Sequence, residues 1–215
     1  MIKRFGLCLA LSMISVISLS YPGFCESEIT KQFLEAYDQK NAIKMSEVIK
    51  ANKDKVPDEI RAMVEEALKP ETKQEDRDSK FFVADMMARA YKDETGDVET
   101  LKFVKRKEFD SKLGAQVRST PQNGVHIVEF PMATPEVKNI FRPDNIIIKA
   151  GETVRWVNKD EQGHIFASMP LIGVGGIFTP RIEPGKSWEF KFEKPGEYYY
   201  ICFIHHGMIG KITVE

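Results

Sequence analysis

Two different spacings of apolar residues divide the chain. Between residues 28 and 110, apolar side chains recur every three or four positions, which is the spacing of one face of an α-helix. From Gly124 onward, apolar and polar residues alternate in short runs, which is the spacing of a half-buried β-strand. The pattern therefore predicts a helical region followed by a β-rich region, which makes an α+β chain of two domains.

The first region carries the signals of four or five short helices. Pro57 and the two acids after it are typical of a helix N-terminus, and Pro70 ends the same apolar stripe. The charged run over 70–78 predicts a solvated loop, Gly96 predicts a helix end and Asp97 predicts a helix cap. We expect a small α-helical bundle whose apolar faces fall on residues 29–37, 43–49, 60–68, 81–91 and 101–104.

The second region contains short strand-like runs separated by turn-forming residues such as Pro184-Gly185 and Pro195-Gly196. Seven or eight short strands in about 90 residues predict an all-β Greek-key sandwich or barrel. The runs are residues 125–130, 145–149, 153–158, 164–168, 186–193, 197–202 and 209–214.

Composition changes divide the chain further. Residues 1–25 are typical of a signal peptide, because basic residues precede an apolar run that a Pro-Gly pair ends; an uncleaved membrane anchor is the alternative. We expect a helical domain at 26–112, a linker at 113–123, where turn formers collect, and a β-domain at 124–215. The sequence thus predicts a protein exported to the periplasm or a comparable compartment.

Cysteine use narrows the chemistry. The chain has three cysteines, and Cys8 and Cys25 fall within the predicted leader. Cys202 is then a lone thiol in an oxidising compartment, where metal ligation would keep it deprotonated and occupied; a buried structural cysteine is the alternative. The net charge of −1, with no strongly basic region, excludes a nucleic-acid footprint.

Several metal-binding residue types surround this cysteine. Cys202, His205 and Met208 share one short stretch between two strand-like runs, so we expect them on a tight loop. His164 begins another strand after a polar loop, which places an imidazole at one end of the sandwich. A thiolate, two imidazoles and a weaker thioether form the ligand set of an electron-transfer copper site, because sulfur stabilises Cu(I) and nitrogen accommodates Cu(II).

With these motifs, residues 124–215 resemble the blue copper proteins of the plastocyanin/azurin family, the cupredoxins. The ligand loop that starts at Cys202, with the pattern Cys-x-x-His-x-x-Met, is similar to the short loop of amicyanin. Trp156-x-Asn158, ahead of His164, also fits the family. The resemblance covers the β-domain and none of the helical region.

The resemblance implies one type 1 copper ion per chain. It implies His164, Cys202 and His205 as equatorial ligands and Met208 as the axial ligand. It also implies that Asn158 ties the His164 loop to the Cys202 loop by hydrogen bonds.

The resemblance also implies a docking surface. In this family the electron passes through the exposed edge of the C-terminal histidine ligand, here His205. An apolar collar around that edge makes a weak, transient interface. Candidate collar residues, for which ordinary packing is the alternative, are Phe203, Ile204, Met169, Pro170 and Leu171.

The two remaining histidines receive no ligand role. His206 stands where many members of the family carry proline, and we expect an exposed ring there. His126 lies on a strand far from the ligand loops in sequence, and we expect it to be structural.

The leading function is a one-electron carrier between a protein donor and a protein acceptor, without enzyme activity and without membrane attachment once the leader is removed. One alternative is copper storage, delivery or sensing, for which exposed Met- or His-rich ligands are expected. Another is a mononuclear copper enzyme with an open coordination position. The helical region has no readable function; we expect it to dock a partner, to space the β-domain from a membrane, or to hold a dimer together.

Overall fold

The computed structural model describes residues 27–134 and 140–215. The predicted leader, with Cys8 and Cys25, lies outside the described residues. No helix within these two ranges is long and apolar enough to cross a membrane.

In the described ranges, five helices form a bundle in the N-terminal half. Their apolar stripes face one another, and the core includes Phe33, Ile49, Ile60, Val64 and Met87. The bundle confirms the predicted helical region. The helices are α1 (Glu28–Asp38), α2 (Ala42–Ala51), α3 (Val56–Ala67), α4 (Gln74–Thr95) and α5 (Glu99–Asp110).

Local sequence signals mark the start or the end of several of these helices. The Ser27 hydroxyl accepts a hydrogen bond from the backbone N–H of Thr30 at the start of α1. Gly96 adopts the left-handed conformation, with φ of 79°, and ends α4. The Asp97 carboxylate accepts a bond from the Glu99 N–H at 2.8 Å, as a cap of α5 does.

The start of α4 corrects one prediction. A solvated loop over 70–78 was expected from the run of charges, but α4 begins at Gln74. Acids in the first turn suit the positive end of a helix, and Arg77 donates to the Ala67 carbonyl of α3 at 3.0 Å. An exposed first turn therefore has the composition of a loop.

The second half of the chain is a sandwich of two sheets, as predicted. Among the described residues, the larger sheet has the strand order β1-β3-β8-β7-β5 and the smaller has the order β2-β4-β6. The strands are β1 (Val117–Arg118), β2 (Val125–Phe130), β3 (Asn145–Ile148), β4 (Thr153–Asn158), β5 (Phe166–Ser168), β6 (Ser187–Lys191), β7 (Gly196–Cys202) and β8 (Ile209–Val214).

Aromatic side chains fill the space between the sheets. Trp156 contacts Phe166 at 5.2 Å and Tyr200 at 5.7 Å between ring centroids. Phe130 extends the cluster to His164, whose ring centroid lies 4.9 Å away. A packed interior of this kind holds its side chains in single positions, so it forms a rigid floor beneath His164.

Strand β1 lies inside the segment expected to be a linker. Its residues pair in parallel with β3, with Val117 opposite Ile146 and Arg118 opposite Ile147. Two exposed residues carry no alternation, so only the neighbouring strand identifies them as a strand. The domain boundaries at 112 and 124 stay a prediction.

Helix α5 packs on the outer face of the larger sheet. Phe109 contacts Tyr199 edge to face at 5.1 Å, and the Arg106 guanidinium donates to the Ile172 carbonyl at 2.6 Å. Lys211 of β8 pairs with Asp110 of α5 at 3.1 Å. The bundle is therefore docked beside β7, the strand that leads to Cys202.

Candidate metal centre

Cys202, His205 and Met208 lie on the tight loop that joins β7 to β8. The Cys202 N–H donates to the Met208 carbonyl at 3.0 Å, and the Met208 N–H donates to the His205 carbonyl at 3.2 Å. Gly207 supplies the positive φ, 82°, that the turn needs. Backbone geometry thus folds the three residues onto one end of the sandwich.

His164 lies at the same end of the sandwich, just before β5, an edge strand of the larger sheet. It follows the polar loop after β4 and exchanges two backbone hydrogen bonds with Ile182, at 3.1 and 2.8 Å. Two residues later, Phe166 of β5 stands opposite Cys202 of β7. This register sets the His164 ring beside the Cys202 thiol.

Three ligand-type atoms converge at this point. The Cys202 Sγ lies 3.9 Å from the His164 Nδ1 and 3.6 Å from the His205 Nδ1, and the two nitrogens are 3.1 Å apart. A point in their plane lies about 2.1 Å from each atom, close to ordinary metal–nitrogen and metal–sulfur distances. These three atoms would therefore hold a small transition-metal ion between them. Within the described residues, these three side chains form the group of cysteine, histidine and acid residues able to hold a metal.

Hydrogen bonds on the far side of each ring hold both histidines in this orientation. The His164 Nε2 lies 3.0 Å from the Asp160 Oδ2, and the His205 Nε2 lies 3.0 Å from the Gln162 Oε1. Since both partners accept hydrogen bonds, each histidine carries its proton on Nε2 and leaves Nδ1 free for a metal.

The charge states of the groups around His164 suit ligation. Burial lowers the pKa of His164, and the nearby His205 adds to this effect against the opposing influence of Asp160. Burial alone would raise the pKa of Asp160, but hydrogen bonds from Ala133, Glu161 and His164 outweigh it and lower that pKa. At neutral pH the ring is therefore neutral and the carboxylate is ionised.

Met208 lies below the loop and is 1% exposed. Its side chain belongs to the core of the sandwich together with Cys202. Its carbonyl accepts from the Cys202 N–H, so the backbones of the two residues are adjacent. The loop and His164 together supply a thiol and two imidazoles, with a thioether in the same loop, and this residue set suits copper better than a hard cation.

The hydrogen bonds of Asn158 differ from the expectation. Its side-chain amide donates to the carbonyls of Gln162 at 2.7 Å and Ile182 at 2.9 Å, and its Oδ1 accepts from the Asp160 N–H. These bonds brace the His164 loop against the strand that follows it. They do not run to the Cys202 loop; outside the three ligand-type atoms, Gln162 links the two loops through its contact with His205.

The structure separates the expected collar residues into two groups. Phe203 and Ile204 are 60% and 44% exposed on the ligand loop itself. The segment of Met169, Pro170 and Leu171 runs back along β7 away from Cys202, since the Met169 N–H donates to the Tyr199 carbonyl. Met169 packs there in the cluster beneath α5.

Sequence reasoning missed three residues at this end of the sandwich. Asp160 and Gln162 contact the two histidines, and Met132 is 53% exposed next to Ala133, whose N–H donates to Asp160. The spacing of Asp160 four positions before His164 was a visible signal. Nothing in the sequence distinguished it from the other polar residues of that loop.

The two other histidines lie as expected. His206 is exposed and its ring lies outside the three-atom group. His126 is 1% exposed and bridges Ser119 and Glu152, at 2.9 Å from each.

Comparison with known proteins gives matches to the β-sandwich. Residues 132–215 match the model of the family described as copper binding proteins, plastocyanin/azurin family. Amicyanin-alpha of Methylorubrum extorquens is 34% identical over 94 residues, which are 41% of this chain and 78% of that protein. Plastocyanin of Scenedesmus fuscus is 36% identical over 85 residues, which are 35% of this chain and 87% of that protein.

Among solved structures, a purple cupredoxin from Nitrosopumilus maritimus aligns with 28% identity and a TM-score of 0.37. The alignment covers 41% of this chain and 98% of that one. The family match begins at residue 132 and leaves the helical bundle outside.

Proposed function

Because the chain belongs to the plastocyanin/azurin family of copper-binding proteins, we propose that it is an exported blue copper protein that carries single electrons between protein partners. The observation that carries the proposal is the convergence of the His164, Cys202 and His205 ligand atoms at one end of the sandwich.

In this proposal His164 and His205 would hold one copper ion through Nδ1, Cys202 would hold it through its thiolate, and Met208 would contribute its thioether. When bound, copper supplies a one-electron couple between Cu(II) and Cu(I). The ligand set accepts both states, because the thiolate and thioether suit Cu(I) and the imidazoles suit Cu(II).

The protein keeps the ligands in one geometry. His164 is fully buried and Cys202 is 6% exposed, and both rest on the aromatic core. Asp160 and Gln162 fix the ring orientations from outside. Because the ligands are already in position, little needs to move when the electron arrives or leaves.

The same enclosure favours a carrier over a delivery or storage module. A protein that hands over copper needs ligands that a partner can reach, whereas here Cys202 is only 6% exposed and His164 is fully buried. The groups described around the three ligand atoms position the histidine rings, and none of them favours an enzyme with an open coordination position.

His205 is the proposed exit for the electron. Its ring is half-buried, and the exposed side chains of Phe203 and Ile204 directly precede it in sequence. With Met132 they would form a small apolar docking surface, which suits brief encounters with redox partners. We propose no membrane attachment after removal of residues 1–25, and we assign the bundle of residues 26–112 to positioning a partner or a second copy.

The test is the visible absorption spectrum of the protein with one equivalent of Cu(II). We expect an intense thiolate-to-copper band that a reductant bleaches. Cys202→Ser should abolish the band, whereas the matched variant His206→Ala, changed at an exposed neighbour of the ligands, should keep it.

Thermal unfolding of both apo variants would show that the sandwich is intact. A weak spectrum in the wild type, or an intense band that survives Cys202→Ser, would contradict the proposed function.

A further inference from the structure

We propose that Asp160 is a positioning residue that acts through His164 to favour Cu(II) over Cu(I). The inference rests on the proposed function and deepens it, because it names the group that lowers the reduction potential of the site.

The geometry holds Asp160 in one position. Its side chain is almost fully buried, and its Oδ2 lies 3.0 Å from the His164 Nε2. Its other oxygen, Oδ1, accepts the backbone N–H groups of Ala133 at 3.2 Å and Glu161 at 2.8 Å. With both oxygens engaged, the carboxylate cannot turn away from the ring without losing these bonds.

A carboxylate on the outer nitrogen changes what the inner nitrogen can do. The Nε2–H bond is polarised toward Asp160, so the ring becomes more electron-rich and His164 Nδ1 becomes a stronger donor. The negative charge also attracts the ion directly through a poorly hydrated interior. Both effects are larger for Cu(II) than for Cu(I), because Cu(II) carries one more positive charge.

The two histidines differ in this respect. His205 meets the neutral amide of Gln162, which is exposed, whereas His164 meets a buried charge. The amide fixes the same ring nitrogen without adding charge. The nearby Arg181 is exposed and already paired with Glu183 at 3.1 Å, so it offsets the carboxylate little.

The test compares reduction potentials of copper-loaded variants. Asp160→Asn keeps the shape and one carbonyl acceptor but removes the charge. We expect the ratio of Cu(II) to Cu(I) affinity to fall about tenfold, which raises the potential by about 59 mV for one electron. The matched control is Glu161→Gln, which removes the same charge from the exposed neighbouring residue and should leave the potential unchanged.

A second variant keeps the inference testable if Asp160→Asn folds poorly. Gln162→Glu places a carboxylate on His205 and should lower the potential, by less than the Asp160 effect because water screens an exposed charge. The thiolate-to-copper band should persist in all of these proteins.

The outcomes separate the two proposals. If the wild type lacks the band, the proposed function and this inference both fail. A different outcome is that the band is present and Asp160→Asn lowers the stability of the apo protein but leaves the potential unchanged. In that case Asp160 only holds the loop in place, and this inference alone is overturned.

Discussion

His164 and His205 present the same ring atom to Cys202 from different surroundings. One ring is sealed in the aromatic core and the other reaches the surface. In the proposed site this asymmetry would give the two histidines different tasks: the buried ring would fix the geometry, and the half-buried ring would connect the site to a partner. The side chain of Met208, the proposed third residue of the ligand loop, lies in the core of the sandwich.

The axial role of Met208 can be tested with Met208→Leu. The side chains have similar volume, so we expect the stability to fall by less than about 1.5 kcal/mol. The thioether donates more to Cu(II) than to Cu(I), so its loss should raise the reduction potential while the thiolate band persists.

Met169→Leu is the matched control, since Met169 packs beneath α5 and away from the ligand loop. Redox titration of both variants gives the answer. A potential for Met208→Leu equal to that of the control would show that Met208 is not a ligand.

The spacing of residues predicted the ligand candidates better than their supporting contacts. Cys202, His205 and Met208 are close in sequence, so a tight loop must bring them together. Asp160 could not be predicted, because several polar residues precede His164 and only the folded loop decides which side chain turns inward. Gln162 reaches His205 across a distance that no local pattern encodes.

At the scale of elements, the β7–β8 hairpin carries the site. Its register sets Tyr200 of β7 opposite Gly210 of β8. A Cβ at Gly210 would overlap the Tyr200 ring and hydroxyl. Tyr200 is fully buried against Trp156 and Phe166, so the ring has no room to retreat.

Gly210→Ala should therefore destabilise the protein by about 1–3 kcal/mol, as overpacking of a filled core does. Gly175→Ala is the matched control, because its added methyl group would meet only Pro170 at an ordinary 3.6 Å. Chemical denaturation of the two apo variants measures the difference. Equal stabilities would show that the core around Tyr200 yields more readily than its packing indicates.

Alternation predicted two of the six-residue strands and failed for the shortest strand. Strands β2 and β4 begin and end where the sequence indicated, because each alternates buried and half-buried residues. Strand β1 has only two residues, both exposed, and exists because β3 offers it hydrogen bonds. The first turn of α4 has the composition of a loop, because its residues are polar or charged and lack an apolar stripe.

On the scale of the whole molecule, the outer face of the larger sheet is an interface with the bundle. Three consecutive tyrosines of β7, Tyr198, Tyr199 and Tyr200, are all nearly inaccessible to solvent. A strand with both faces covered loses its alternation of apolar and polar residues. The run of three tyrosines therefore indicates that a second layer covers the outer face of this strand. The identity of that layer was beyond the sequence, since Lys211 and Glu197 are typical surface residues.

We predict that acid loosens this interface. Lys211 contacts Asp110 at 3.1 Å, Glu197 at 2.6 Å and the face of the Tyr199 ring at 4.7 Å. Burial opposes ionisation of Glu197, but the Lys211 ammonium outweighs it and holds the pKa of Glu197 below 4.5. Burial likewise opposes the charge of Lys211, but its partners raise the Lys211 pKa above its ordinary value.

The directions of these two pKa shifts define the pH range in which the ion pairs add stability. A depressed carboxyl pKa contributes stability above the unfolded value, and that stability is lost as the pH falls through the folded value. The raised pKa of Lys211 contributes stability at every pH below its ordinary value, and that stability is lost only in strong alkali. Glu197 also faces the Arg106 guanidinium of α5, so the docking of α5 should be constant at neutral pH and weaken as the pH falls below 4.5.

Limited proteolysis between α5 and β1 over this pH range measures the docking. Lys211→Met keeps the packing against Tyr199 and removes the charge. The protease should cleave this variant faster at neutral pH, and its cleavage rate should depend little on acid. If the wild type and Lys211→Met show the same pH profile, the ion pairs do not hold the bundle.

The strand order has a consequence for the assembly of the protein. β8, the last of the eight described strands in the chain, stands between β3 and β7 in the larger sheet. During synthesis β1 and β3 can therefore pair with β8 only after the other described strands have been made, whereas the helices can pack earlier. The hairpin that completes this sheet also completes the ligand loop, so the chain acquires its metal site in the same late step that closes its fold.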